Sequence, residues 1–287
     1  MPLTGFFCAM FIPLPVLFYR LKLGRTMGRF VPVVTGLTLF MIAGISFDVL
    51  VFIELLLLGF YLGEFFEQKL SLEKTVLYAC GVVLGTATVC LLLYCSLTDT
   101  GISALISKYV ASNLALSIAL YKSIGMPEEH IQLLSDSMEH IRYVLTRIMP
   151  ALSVILVLFL CWTSLLFSRP ILKSRKLFYP EFGSLNLWRL PEYVVWAAIG
   201  SALMLFFPGS GLKLIGLNSV LILMAVYFLQ GIAIISFFFE KKEIPRIFRF
   251  FLYSLIAVWH LLLAAVIGLG LFDTWLNFRK LAVNKKD

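Results

Sequence analysis

Long apolar stretches, broken by short polar ones, run through the whole chain. A membrane-crossing helix needs about 20 mostly apolar residues. The clear stretches of that kind are 75–96, 148–168, 192–208, 217–239 and 250–272. The segment 3–19 is a further, shorter span that ends in the basic run Arg20, Lys22, Arg25 and Arg29. Residues 30–65 are too long for one crossing, since 36 residues of helix would extend about 54 Å against a hydrocarbon core of about 30 Å. Gly44, Ser46 and Asp48 in their middle suit a tight turn, which gives two spans, 30–45 and 48–65. The expected fold is therefore all-α, a polytopic transmembrane helix bundle of about eight spans treated as one integral membrane domain over 1–287.

The region 97–147 breaks this rhythm. Its second half opens at Gly125-Met126-Pro127, with Glu128 and Glu129 in the first turn. Ile131, Leu134, Met138, Ile141, Leu145 and Ile148 follow at helical spacing and form an apolar stripe. The helix is expected to run on into 148–168, with Pro150 as a kink. The first half, 102–124, is apolar but carries Lys108, Asn113 and Lys122. The expectation for 102–147 is a pair of outer amphipathic helices that lie on the membrane or cap the bundle.

Composition fixes the class. Of 287 residues, 61% are apolar and 14% charged, and the mean hydropathy is +0.97. A soluble domain has about 45–50% apolar and about 25% charged residues. That excess excludes an ordinary soluble enzyme, a disordered chain and a secreted disulfide scaffold. The net charge of +8 sits in short runs between apolar stretches, which is the pattern of membrane loops and not of a nucleic-acid surface. With the hairpin at 30–65, the inner segments hold 15 Lys and Arg and the outer ones 9. Treating 30–65 as one span would put the rich loops 169–191 and 240–249 outside, so the positive-inside rule favours the hairpin. The tail with Arg279, Lys280, Lys285 and Lys286 then lies outside, against the rule, and an interfacial helix over 273–282 is one way to accommodate it.

Candidate chemistry is sparse. There is no P-loop, HExxH, GxSxG or GxGxxG, and no nucleophile beside a base, so no enzymatic activity and no cofactor are expected. Cys8, Cys80, Cys90, Cys95 and Cys161 lie in apolar stretches and read as small packing residues. His130 and His140 are ten apart on one helix, about 80° out of alignment, which does not make a metal site. Polar groups inside spans are the better candidates, because hydrocarbon penalises them unless they are paired or face a cavity. These are Glu54, Gln230, His260 and Tyr227, which precedes Gln230 by three residues and shares its face. Gln230 and His260 fall at matching depth on consecutive spans and could bond to each other or to one ligand. Glu54 could bond Thr35 or Thr38 across its hairpin. His260, Ala264 and Gly268 form a row of mostly small residues, and Gly5/Ala9, Gly81/Gly85 and Ala198/Ala202 have the spacing of close helix contacts. Arg169, Lys173, Arg175 and Lys176 form a basic cytoplasmic face able to meet anionic lipid or an acidic partner.

The stretches PLPVLFYRLKLGR (13–25), GEFFEQKLSLEKTVLY (63–78), RLPEYVVW (189–196), GLNSVLILMAVYFLQGIAIISFFFEKKEIP (216–245) and LGLFDTWLNFRKL (269–281) together resemble the YybS-like family of bacterial membrane proteins. That family is remotely similar to the substrate-binding (S) components of energy-coupling-factor transporters. The resemblance implies a multi-pass protein of a bacterial cell membrane that binds or helps transport a small molecule. It also implies partners: a transmembrane coupling subunit and an ATPase. S components have six spans, against the eight counted here. The alternative function is a non-transport scaffold that recruits another membrane protein within the bilayer or at its basic cytoplasmic face.

Overall fold

A computed structural model describes residues 9–44 and 46–279. Among the described residues the chain is all-α, with eleven α-helices and no strand. Contacts divide it into two compact units, Met1–Glu181 and Phe182–Asp287, where the sequence suggests a single integral domain. Five helices are long and apolar enough to cross a membrane, and two sharply bent helix pairs raise the number to seven if each pair is one span.

The first unit begins with α1 (Pro13–Gly28), α2 (Phe30–Ala43), α3 (Phe47–Glu67) and α4 (Leu72–Leu97). The turn expected inside 30–65 is present. Gly44 ends α2 at φ +66°, a conformation that favours glycine. Ser46 then caps α3 by accepting the Val49 N–H at 3.3 Å, with Asp48 in the first turn. A Cβ on Gly36 would lie 3.7 Å from Ile53, so α2 and α3 fold back on each other. α2 is bent 93° from α1. Ser71 caps α4 and accepts the Lys74 N–H at 3.4 Å.

The unit continues with α5 (Ile102–Ser123), α6 (Glu128–Asp136) and α7 (Met138–Ser174). α6 opens after Pro127 as expected, but Ser137 separates it from α7. α7 has 37 residues, with Pro150 and Pro170 inside it. At about 1.5 Å per residue it is about 55 Å long, well beyond a hydrocarbon core. Its first turns carry Glu139, Arg142 and Arg147, and these line a cleft of about 370 Å³ with Ser103 and Ser107 of α5. α5 is a single 22-residue helix, long and apolar enough to be a candidate span by length and composition, and its start lies beside the first turns of α7. Asn113 and Ser117 are exposed and donate to carbonyls one turn back on their own helix.

The second unit holds a short 3₁₀ turn (Leu185–Leu187), α8 (Val194–Met204), α9 (Ser210–Lys241), α10 (Arg246–Val258) and α11 (His260–Leu276). Two spans take forms that differ from expectation. In 192–208 only the 11 residues of α8 are helical. They cover about 16 Å, roughly half a hydrocarbon core. In 250–272 the chain breaks at Trp259 and turns 102°, so α10 and α11 are separate. Arg249 ties α10 back to the preceding turn: its guanidinium donates to the carbonyls of Ile244 (2.7 Å), in that turn, and Phe239 (3.3 Å), in the last turn of α9. α9 and α11 cross in close contact where Gly231 meets the Val266 backbone and Gly270 meets the Tyr227 backbone. A side chain at either glycine would collide with main chain. Gly268, in the row suggested by the sequence, has open space beside it.

Candidate functional site

The first unit buries a charged group that the sequence places in a loop. Arg20 lies in α1 and is completely buried. Glycines make this possible. Gly63 of α3 sits where a Cβ would come within 2.6 Å of the Arg20 side chain, and Gly28 where one would come within 2.7 Å of its Cα. Gly24, at φ +77°, breaks the helical path inside α1 and lets 25–28 fold back over Arg20. One helical turn from Gly63, Gly59 lies against the Pro13 carbonyl, so Gly59 and Gly63 together let α1 approach α3.

Two carboxylates neutralise the buried guanidinium. Glu64 accepts from Arg20 Nε (2.9 Å) and Nη2 (2.7 Å). Glu67, three residues on and so on the same face of α3, accepts from Nη1 (3.2 Å) and Nη2 (2.8 Å). Arg20 also lies 5.9 Å from the centre of the Phe60 ring. Glu64 additionally pairs with the exposed Arg25 at 3.2 Å. Beside this cluster opens a cleft of about 430 Å³ lined by Arg25, Thr26, Arg29, Phe60, Tyr61, Glu64, Phe65 and Gln68. Its volume lies in the range of small-molecule sites, about 300–1,000 Å³. It combines cations, one carboxylate and three aromatic rings.

The second unit buries another network. Gln230 and Asp273 are both fully buried. The Gln230 amide donates to Asp273 Oδ2 (3.2 Å), and its carbonyl oxygen accepts the Leu190 N–H (3.3 Å). Asp273 Oδ2 also accepts from Arg279 (2.8 Å), and Asp273 Oδ1 accepts the Phe278 N–H (2.9 Å). Arg279 donates onward to the carbonyls of Asn186 (3.1 Å) and Trp188 (2.7 Å), while Arg189 donates to those of Asp273 and Thr274. The side chain of Asn186 donates to Glu240.

These bonds hold the segment that precedes α8 against α9. Residue 190 meets α9 at 230 and residue 186 meets it at 240. Residues 188–190, just past the 3₁₀ turn, thus lie alongside α9, and the side chains of Gln230 and Arg279 satisfy backbone groups there.

The sequence candidates scatter accordingly. Glu54 lies in the first unit and accepts a hydrogen bond from Thr86 of α4 at 2.8 Å. It does not pair across the hairpin, where Thr38 bonds the carbonyl of Val34. Tyr227 and Gln230 are buried on α9. His260 is exposed at the start of α11. It precedes Asp273 by thirteen residues, about 20 Å along the helix, so Asp273 and not His260 is the partner of Gln230. Arg169, Lys173, Arg175 and Lys176 are all exposed around the end of α7. Gly81 and Gly85 have open space beside them, and Gly5, Cys8 and residues 280–282 of the tail lie outside the described residues. No group of three His, Cys, Asp or Glu side chains able to hold a metal occurs among the described residues.

Residues 1–274 match the family described as "Predicted membrane protein (DUF2232)". The chain belongs to this family. The Bacillus subtilis (strain 168) protein titled "Uncharacterized protein YybS" is 23% identical over 289 residues, covering 97% of this chain and 90% of that protein. No solved structure matches the chain. As a member of the family, the chain is a multi-pass protein of a bacterial membrane. Both buried networks lie largely in the stretches that carry the YybS-like resemblance: Arg20 and Arg25 in 13–25, Glu64 and Glu67 in 63–78, Arg189 and Leu190 in 189–196, Gln230 and Glu240 in 216–245, and Asp273 and Arg279 in 269–281.

Proposed function

We propose that this protein is a substrate-binding or transport component for a small organic anion or zwitterion, and that the cleft beside Arg20 is its binding surface. The observation that carries the reading is the pairing of a rigid charged base with an open, mixed lining. The glycine-flanked Arg20 fixes Glu64, and Glu64 and Gln68 share the cleft with Arg25, Arg29 and the rings of Phe60, Tyr61 and Phe65. Guanidinium groups suit a carboxylate or phosphate, and aromatic faces suit the apolar body of a metabolite. Glu64 supplies an acceptor for a donor on the same ligand. The resemblance to S components points in the same direction, and in such a system a coupling subunit and an ATPase supply the energy.

A thermal-shift screen of the purified full chain against small metabolites tests the reading. Stabilisation by an anionic or zwitterionic compound, lost in Arg29→Ala, supports it. Stabilisation by no compound, or equal stabilisation of the variant, overturns it. A second reading, recruitment of an acidic partner or anionic lipid, is favoured by one observation: Arg169, Lys173, Arg175 and Lys176 all present their side chains to the exterior.

A further inference from the structure

Glu54 lies six residues after Asp48, about 9 Å into the candidate span Asp48–Glu67. Hydrocarbon penalises a carboxylate there unless a cation neutralises it or a proton does. Among the described residues no Lys, Arg or His pairs with it, since the ion pairs of the unit go to Glu64, Glu67 and Glu139. Its partner is a neutral hydroxyl.

That hydroxyl is placed between competing acceptors. Thr86 Oγ1 is 2.8 Å from Glu54 Oε2, 2.9 Å from the Val83 carbonyl and 3.0 Å from the Val82 carbonyl. It has one hydrogen to give and lone pairs with which to accept. With Glu54 ionised, the hydrogen goes to Oε2 as a charge-assisted bond. With Glu54 protonated, the acid O–H donates to Oγ1, and the threonine hydrogen rotates to a carbonyl of its own helix. Both states are hydrogen-bonded without moving a heavy atom.

We propose that Glu54 and Thr86 form a reversible proton-binding site between α3 and α4. The proton comes from water onto Oε2 and returns to water, with no other group changed. The surroundings leave Glu54 as the group that takes it. α4 contributes Cys90, one turn beyond Thr86, and α2 carries no ionisable side chain. On α1, Arg20 and Arg25 are engaged at Glu64, ten residues further along α3, and Tyr19 and Lys22 lie around Arg20. On α7, Cys161 faces Cys80 at 3.7 Å, Glu139 pairs with Arg142, Arg147 lies over Tyr143, His140 is exposed in the first turn, and Arg169 and Lys173 are at the exposed end. The site is separate from the cleft proposed for ligand.

Infrared difference spectra of the full chain in lipid nanodiscs, taken across a pH series, test this. A carboxylic acid C=O band is expected to grow as pH falls and to vanish in Glu54→Gln. In Thr86→Val the band remains but moves to higher frequency, because the acid O–H loses its acceptor. Thr86→Ser, which keeps the hydroxyl, restores the original position. No pH-dependent band assignable to Glu54, or an unmoved band in Thr86→Val, overturns the proposal. Arg29→Ala is expected to leave the band unchanged, so failure of the ligand cleft and failure of the proton site are told apart.

Discussion

Arg20 shows how a single residue can differ from its surroundings in the sequence. It begins a basic run, Arg20, Lys22, Arg25 and Arg29, of which Lys22, Arg25 and Arg29 are exposed. Arg20 alone is enclosed, because Gly28 and Gly63 leave room for it and Glu64 and Glu67 offset its charge. Removing one partner of a buried ion pair strands the other, at a cost of about 3–5 kcal/mol. Arg20→Ala is therefore expected to lower unfolding stability in detergent by about that amount. Lys22→Ala, at an exposed position of the same helix, is expected to change it by less than about 0.5 kcal/mol. Equal effects in a thermal or denaturant titration would contradict the assignment. Arg279 differs in the same way from the basic tail around it. It is buried against Asp273, and so it serves packing and carries no weight as an orientation signal.

The sequence does carry a signal for Arg20. Gly59 and Gly63 are spaced for a close helix contact, and Glu64 and Glu67 follow on one face. Composition alone did not separate that pair from Gly81/Gly85, which packs nothing.

At the scale of elements, the turn inside 30–65 was legible, because Gly44, Ser46 and Asp48 are the residues such a turn requires. The break at Trp259 was not. Neither glycine nor proline marks it; on its N-terminal side α10 packs against the end of α9 through Arg249 and Tyr253. The half-helix at 192–208 was equally hidden, since Leu205, Phe206 and Phe207 are as apolar as a spanning helix although the chain leaves the helix there. The close crossing of α9 and α11 gives a direct prediction. Gly231→Leu or Gly270→Leu is expected to abolish folding of the second unit, because each side chain would meet main chain. Gly268→Ala is expected to be neutral, and native yield after size-exclusion chromatography distinguishes them. Arg279→Ala frees the carbonyls of Asn186 and Trp188. Faster hydrogen exchange or proteolysis confined to 182–193 is the expected result, and an unchanged segment would contradict the role given to Arg279.

At the scale of the whole molecule, a multi-pass bundle follows from hydropathy, whereas the sites follow from a few contacts between distant segments. In the first unit, α1 and α3 run side by side in the same direction, since Pro13 meets Gly59 and Arg20 meets Glu64. Phe66 at the end of α3 meets Tyr179 just past the end of α7. The ends of α1, α3 and α7 and the start of α4 therefore lie on one side, which the positive-inside rule predicts to be the cytoplasmic one. Lys74→Cys and Lys173→Cys are expected to react together with an impermeant thiol reagent in inverted vesicles and to be protected in intact cells.

The cleft by Arg20 opens on that side, and the proposed small-molecule function rests on it. The most direct measurement is ligand binding by titration calorimetry on the purified full chain and on Arg25→Ala/Arg29→Ala. A metabolite found to stabilise the wild type is expected to bind it with defined stoichiometry and to lose at least about tenfold in affinity in the double variant, about 1.4 kcal/mol. Undiminished affinity in a variant that folds as the wild type does would contradict the account.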